Sequence, residues 1–76
     1  MPTLQITVRA GYRCPYIASA QLNGREFRAT ARDEQAAARA LFRRALMFTY
    51  SMLNPPEYEL KHVASEQDAE IYRVEW

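Results

Sequence analysis

Seventy-six residues carrying a formal net charge of +1 describe one small domain, residues 1–76, of the size that buries only about 60% of its unfolded surface and gains from a partner or from oligomerisation. The single cysteine, Cys14, excludes an internal disulfide and a cysteine-based zinc site and fits a reducing compartment. No apolar run approaches the ~20 residues of a membrane span, and Met1-Pro2-Thr3 leads straight into an alternating pattern with no signal peptide, so a soluble, cytoplasmic protein without membrane contact is expected.

Leu4, Ile6 and Val8 alternate with Gln5, Thr7 and Arg9, the period of a strand with one buried face. Ala10–Pro15 breaks the pattern as a loop and offers Tyr12 and Arg13 as contact-makers, in the kind of segment that often carries function. Tyr16–Leu22 and Arg25–Ala31 flank Asn23-Gly24, the dipeptide of a two-residue type I′ hairpin. Closing that loop pairs Leu22 with Arg25, Ala20 with Phe27, Ala18 with Ala29 and Tyr16 with Ala31. This set is almost wholly apolar and is the expected core face. The other face, Gln21, Ser19 and Ile17 against Glu26, Arg28 and Thr30, is polar. A slip of one residue would bury Glu26 and Arg28, so the register is well specified.

Asp33 to Leu53 is rich in Ala, Leu, Arg and Met and reads as one long helix, roughly 30 Å at ~1.5 Å per residue. Asp33 caps its first amides and Glu34 suits the positive end of its dipole. Asn54-Pro55-Pro56 is the expected stop. Two apolar faces emerge at ~100° per residue. Ala37, Leu41, Ala45, Phe48 and Met52 form a narrow stripe suited to a close-packed sheet. Phe42, Leu46 and Leu53 extend the arc towards Arg39, Arg43 and Tyr50. That second flank is either a widening of the core overlaid by Arg stems or a partner surface built from Arg, Tyr and large aliphatics.

Beyond the prolines, Tyr58, Leu60 and His62 alternate with Glu59, Lys61 and Val63. Ser65-Glu66-Gln67-Asp68 reads as a polar turn, followed by a last strand, Glu70–Trp76. This hairpin places His62 opposite Tyr72, Leu60 opposite Val74 and Tyr58 opposite Trp76. The expected fold is therefore α+β: an antiparallel sheet of about five strands in the order β-β-β-α-β-β, with the helix on one face.

Charge divides along the chain. Residues 1–53 hold eight Arg against three acids, a formal +5, whereas residues 54–76 hold two bases against six acids, a formal −4. Chemistry-bearing motifs are sparse. The one histidine, His62, falls at an inward strand position, and Cys14 has no neighbouring base. Gly11 and Gly24 are explained by turns rather than by a phosphate loop. No catalytic residue, metal site or cofactor is expected, and the candidate contact residues are Arg39, Phe42, Arg43, Leu46 and Tyr50 on the helix flank, with Arg9, Arg28, Tyr12 and Arg13 on the sheet and loop.

Two resemblances follow. The hairpin and helix over residues 16–52 resemble, in topology, the second half of the double-stranded RNA-binding domain, which implies a nucleic-acid-binding module. That family places lysines at the start of this helix to hold phosphates, where this chain has Asp33, Glu34 and Gln35. The whole chain, in size, Ala/Arg bias and hairpin-helix-hairpin order, is similar to small proteins of phages and mobile elements, anti-CRISPR proteins among them. That similarity implies a non-enzymatic inhibitor in the host cytoplasm that occupies a crRNA-guided effector complex and blocks target-DNA binding or nuclease recruitment. The implied partner is a protein or nucleoprotein complex, with direct nucleic-acid contact and a homodimer through the helix flank as alternatives.

Overall fold

The computed structural model describes residues 2–13, 15–54 and 56–76. Cys14, and Pro55 of the expected proline stop, lie outside the described residues. The fold class is the one the patterns imply: a five-stranded antiparallel sheet with the element order β-β-β-α-β-β. The strands are β1 (Thr3–Ala10), β2 (Tyr16–Leu22), β3 (Arg25–Ala31), β4 (Glu59–Glu66) and β5 (Ala69–Glu75), and the helix α1 spans Glu34–Tyr50. Strand order is β3-β2-β1-β5-β4, so the first strand in sequence is the central one in space.

The β2–β3 hairpin has the expected register, Leu22 with Arg25 through Tyr16 with Ala31. Asn23 and Gly24 both take positive φ, 53° and 77°, as a type I′ turn requires. Its inner face supplies Ala18, Ala20, Phe27 and Ala29 to the core. The helix rests mainly on β2 and β3, where this small-residue floor meets its own buried Ala37, Ala38 and Ala45.

Asp33 caps the helix as its sequence implies, accepting from the Ala36 amide at 3.0 Å. The other end differs. Tyr50 is the last helical residue, and Ser51 adopts the left-handed conformation at φ 57°. Its amide bonds to the Met47 carbonyl at 3.0 Å, while the Met52 amide reaches back to the Leu46 carbonyl at 3.4 Å. The Ser51 bond is the 5→1 closure of a left-handed cap, made here without glycine, and it ends the helix before Asn54.

The two apolar helix faces merge into one. The buried helical residues are Ala37, Ala38, Leu41, Phe42, Ala45 and Leu46, pairs of neighbours recurring every turn, as a wide core face demands. Phe42 and Leu46 are fully buried, whereas Phe48 and Met52, expected in the core stripe, are 57% and 39% exposed. The cause lies in the C-terminal hairpin. Tyr58 and Trp76 close over Phe42, with ring centroids at 4.6 and 5.2 Å, and the Trp76 amide is anchored to the Pro2 carbonyl beside β1. Phe48 lies over β3, beyond which there is no further strand.

In that hairpin, Leu60 pairs with Val74 and His62 with Tyr72, as expected. The strands continue past His62, however, to Glu66 opposite Ala69, so the turn tightens to Gln67-Asp68. An irregularity between His62 and Ala64 absorbs the difference as a β-bulge. Among the described residues no helix is long and apolar enough to cross a membrane.

Candidate interaction surface

The nine contact residues suggested by the sequence separate into four groups. Phe42 and Leu46 are corrected to core: both are fully buried, Phe42 under Tyr58 and Trp76, and they present no surface to a partner or to a helix-flank dimer. Arg39, Arg43 and Tyr50 of the same flank are exposed, left as a polar rim around an interior already filled. Arg9 and Arg28 lie on the outer sheet face and are exposed, with Thr7, Ser19 and Ile17 between them through the pairs Thr7–Ser19, Ser19–Arg28 and Arg9–Ile17. Tyr12 is completely exposed and Arg13 is exposed beside it.

Strand order turns the charge division of the chain into a spatial one. Residues 2–32, which form β1, β2 and β3, hold five Arg against Glu26, a formal +4. Residues 56–76, which form β4 and β5, hold two bases against six acids, a formal −4. On the acidic half, Lys61 and Arg73 are spent on Glu59 and Glu75, at 3.1–3.9 Å. On the basic half Arg28 pairs with Glu26 at 2.7 Å, and Arg9, Arg13 and Arg32 have no ion pair among the described residues. Ala10, Tyr16 and Ala31 share one row across the three strands. Arg13 in the β1–β2 loop and Arg32 just past β3 therefore stand at the same end of the sheet as Arg9.

A polar cluster occupies the uncovered end of the C-terminal hairpin. The helix rests mainly on β2 and β3, and His62 faces the helix side yet is exposed, with its ring edge-on to Tyr72 at 5.2 Å. His62 Nε2 lies 2.6 Å from Glu70 Oε2, and Ser65 Oγ donates to the same carboxylate oxygen. The Ser65 hydroxyl, then His62, hold the Glu70 carboxyl below the usual carboxylate range. Both side chains converge on one carboxylate oxygen, so the serine proton is directed to Glu70 rather than to an imidazole lone pair. A nucleophile poised against a base needs the reverse arrangement. Deeper in, the Tyr72 hydroxyl donates to Glu34 Oε2 at 3.0 Å. Burial, then this bond to a carboxylate, pushes the Tyr72 phenol up to about 12. Glu34, assigned to the helix dipole by its position, thus also pins the helix start to β5.

The third surface is one that the sequence marked only at Tyr50. At the C-terminal end of the helix Met47, Phe48, Tyr50, Met52 and Leu53 are exposed. Beside Phe48, the Arg25 guanidinium lies over both the Phe27 and Phe48 rings at 5.8 and 5.7 Å. Arg44 Nη1 donates to the Arg28 backbone carbonyl at 2.9 Å, crossing from helix to sheet edge. Arg25, Glu26, Phe27, Arg28, Arg44 and Phe48 line one shallow groove along β3. The periodicity that links Leu41, Ala45 and Phe48 marks Phe48 as core, and nothing in composition reveals that β3 is an outer strand.

No family model, curated protein or solved structure matches the chain.

Proposed function

We propose that the protein acts by binding rather than by turnover, as a small phage-type inhibitor that docks on a crRNA-guided effector complex and blocks target-DNA binding or nuclease recruitment. The observation that carries this reading is the segregation of charge: a +4 three-strand half whose open face presents Arg9 and Arg28, with Arg13 and Arg32 at its end. Guanidinium groups make charge-assisted, often bidentate bonds to carboxylate and phosphate. The face around Arg9 and Arg28 bears Gln5, Thr7, Ile17, Ser19, Gln21 and Thr30, with Glu26 paired to Arg28, and among the described residues no aromatic platform for base stacking. That composition favours contacts to acidic protein surface and to backbone phosphates of an assembled complex over recognition of bases.

The test is a binding titration against purified effector complex with its guide RNA. Arg9→Glu combined with Arg13→Glu reverses charge on exposed positions and is expected to weaken docking by about a hundredfold, in line with losses of ~1.5 kcal/mol per charge-assisted contact, at unchanged melting temperature. An unaltered titration removes this surface from the interaction. Binding to naked duplex with a steep salt dependence, in the absence of effector protein, would replace the reading by direct nucleic-acid binding.

A further inference from the structure

We propose that the free edge of β3 accepts an extended, acidic polypeptide segment as an added strand. This inference deepens the binding reading and rests on it, naming the kind of element the partner inserts. The argument begins with the backbone. In a two-residue hairpin the pair that closes the turn exchanges both hydrogen bonds, and bonded pairs then alternate. Arg25, Phe27, Ala29 and Ala31 therefore face β2 with their amides and carbonyls, and Glu26, Arg28 and Thr30 turn theirs away from the sheet. The Arg44 bond to the Arg28 carbonyl is the direct sign of that outward orientation. A row of such groups is a template for another strand.

Side chains around the edge select what could pair there. Arg25, Arg28 and Arg44 rim it against one acid, Glu26, which is already bonded to Arg28. On the helix side Phe48 is 57% exposed and forms, with Arg25 stacked on it, an apolar wall for every second residue of an incoming strand. Aliphatic residues on the helix-side face of the added strand meet Phe48, and the acids alternating with them lie on the other face, where Arg28 stands. A second copy of this chain is a poor occupant, because a two-fold pairing of β3 edges would bring Arg25, Arg28 and Arg44 of both copies together. The opposite edge is protected: β4 carries the bulge between His62 and Ala64 and the exposed charges Glu59, Lys61 and Glu66, devices that discourage strand addition. Arg44 acts as a latch, holding the Arg28 carbonyl until an incoming amide replaces it and its guanidinium turns to an acid on the new strand.

The experiment uses the full chain and a labelled peptide of about eight alternating Glu and Val residues, with Lys replacing Glu in the control. Binding of the Glu peptide, absence of binding by the Lys peptide, and new hydrogen-exchange protection at Glu26, Arg28 and Thr30 are expected. Thr30→Pro removes only an outward amide, a change edge strands tolerate. It should weaken the peptide about tenfold while the melting temperature holds. Equal affinity for both peptides, indifference to Thr30→Pro, or a dimer that this substitution abolishes would each overturn the inference. Effector titration run in parallel separates the two readings. Docking of the effector without capture of the Glu peptide removes the edge site and leaves the function standing. Capture at the edge without effector docking does the opposite.

Discussion

Phe42 and Phe48 stand on the same helix, yet one is fully enclosed and the other is more than half exposed. The sheet under each flank explains the difference. On the Phe42 side two more strands lie beyond β1, and the aromatic ends of their hairpin, Tyr58 and Trp76, rise to cover the ring. On the Phe48 side the sheet stops at β3, and the ring rests against Phe27 with the Arg25 guanidinium over it. Enclosure is thus decided by where the helix sits across the sheet, off-centre over β2 and β3, and not by the residue type on the helix.

The sharpest way to break this comparison is to truncate both rings. Phe42→Ala is expected to cost about 3–5 kcal/mol, the range for removing a buried aromatic and leaving a cavity. In a domain of this size that is a large share of the total stability. Phe48→Ala should cost about 1 kcal/mol or less, because much of its surface is already in water. Denaturant titration of the two variants measures both. Similar losses would mean that Phe48 is held as firmly as Phe42 and that the β3 flank is no open surface.

The same contrast shows what was legible in the sequence. Local features were readable: the Asn23-Gly24 turn and its register, the Asp33 cap, and the alternation that makes each strand. Their causes lie within a few residues of chain. Features that depend on distant neighbours were not. That β1 becomes the central strand, bringing Trp76 back beside Pro2, is a long-range pairing that no periodicity encodes. It is this pairing that brings Trp76 over Phe42 and makes that ring core rather than partner flank. The left-handed Ser51 carried no glycine to mark it, and the bulge beside Val63 had no compositional sign. Arg9, Arg28, Tyr12 and Arg13 were placed at the surface because their strand parity and loop position are local properties. The roles of Arg25 and Arg44, a cation over two rings and a cap on an edge carbonyl, were not legible because they exist only across elements.

The hairpin side is also tied to the helix by a polar contact, and pH probes it. In the folded protein the Tyr72 phenol is raised from an ordinary value of 10.0 to about 12. The folded state therefore favours the neutral form. The stabilisation is complete below pH 10, and it is lost as pH rises from about 10 to about 12 while the unfolded chain releases its proton first. Tyr72→Phe removes the bond to Glu34 and should cost about 1 kcal/mol at neutral pH, while flattening the alkaline decline. An unchanged alkaline limb in the variant would show that this tie contributes nothing to holding the helix start on β5.

Its counterpart on the other flank is the Arg44 bond to the Arg28 carbonyl, and it should be the weaker of the two. Donor and acceptor residues are both exposed, so water competes for each, and holding a long side chain in one geometry costs entropy that offsets the gain. Arg44→Ala is accordingly expected to change stability by about 0.5 kcal/mol or less. It also strips the latch from the one edge carbonyl that has a partner, so hydrogen exchange at β2 and β3 should stay as slow as in the parent protein. A larger loss than that of Tyr72→Phe would invert the order of the two flanks. The exposed side would then be fastened by its polar contact rather than left open, and the β3 edge could receive a strand only by surrendering stability that the domain needs.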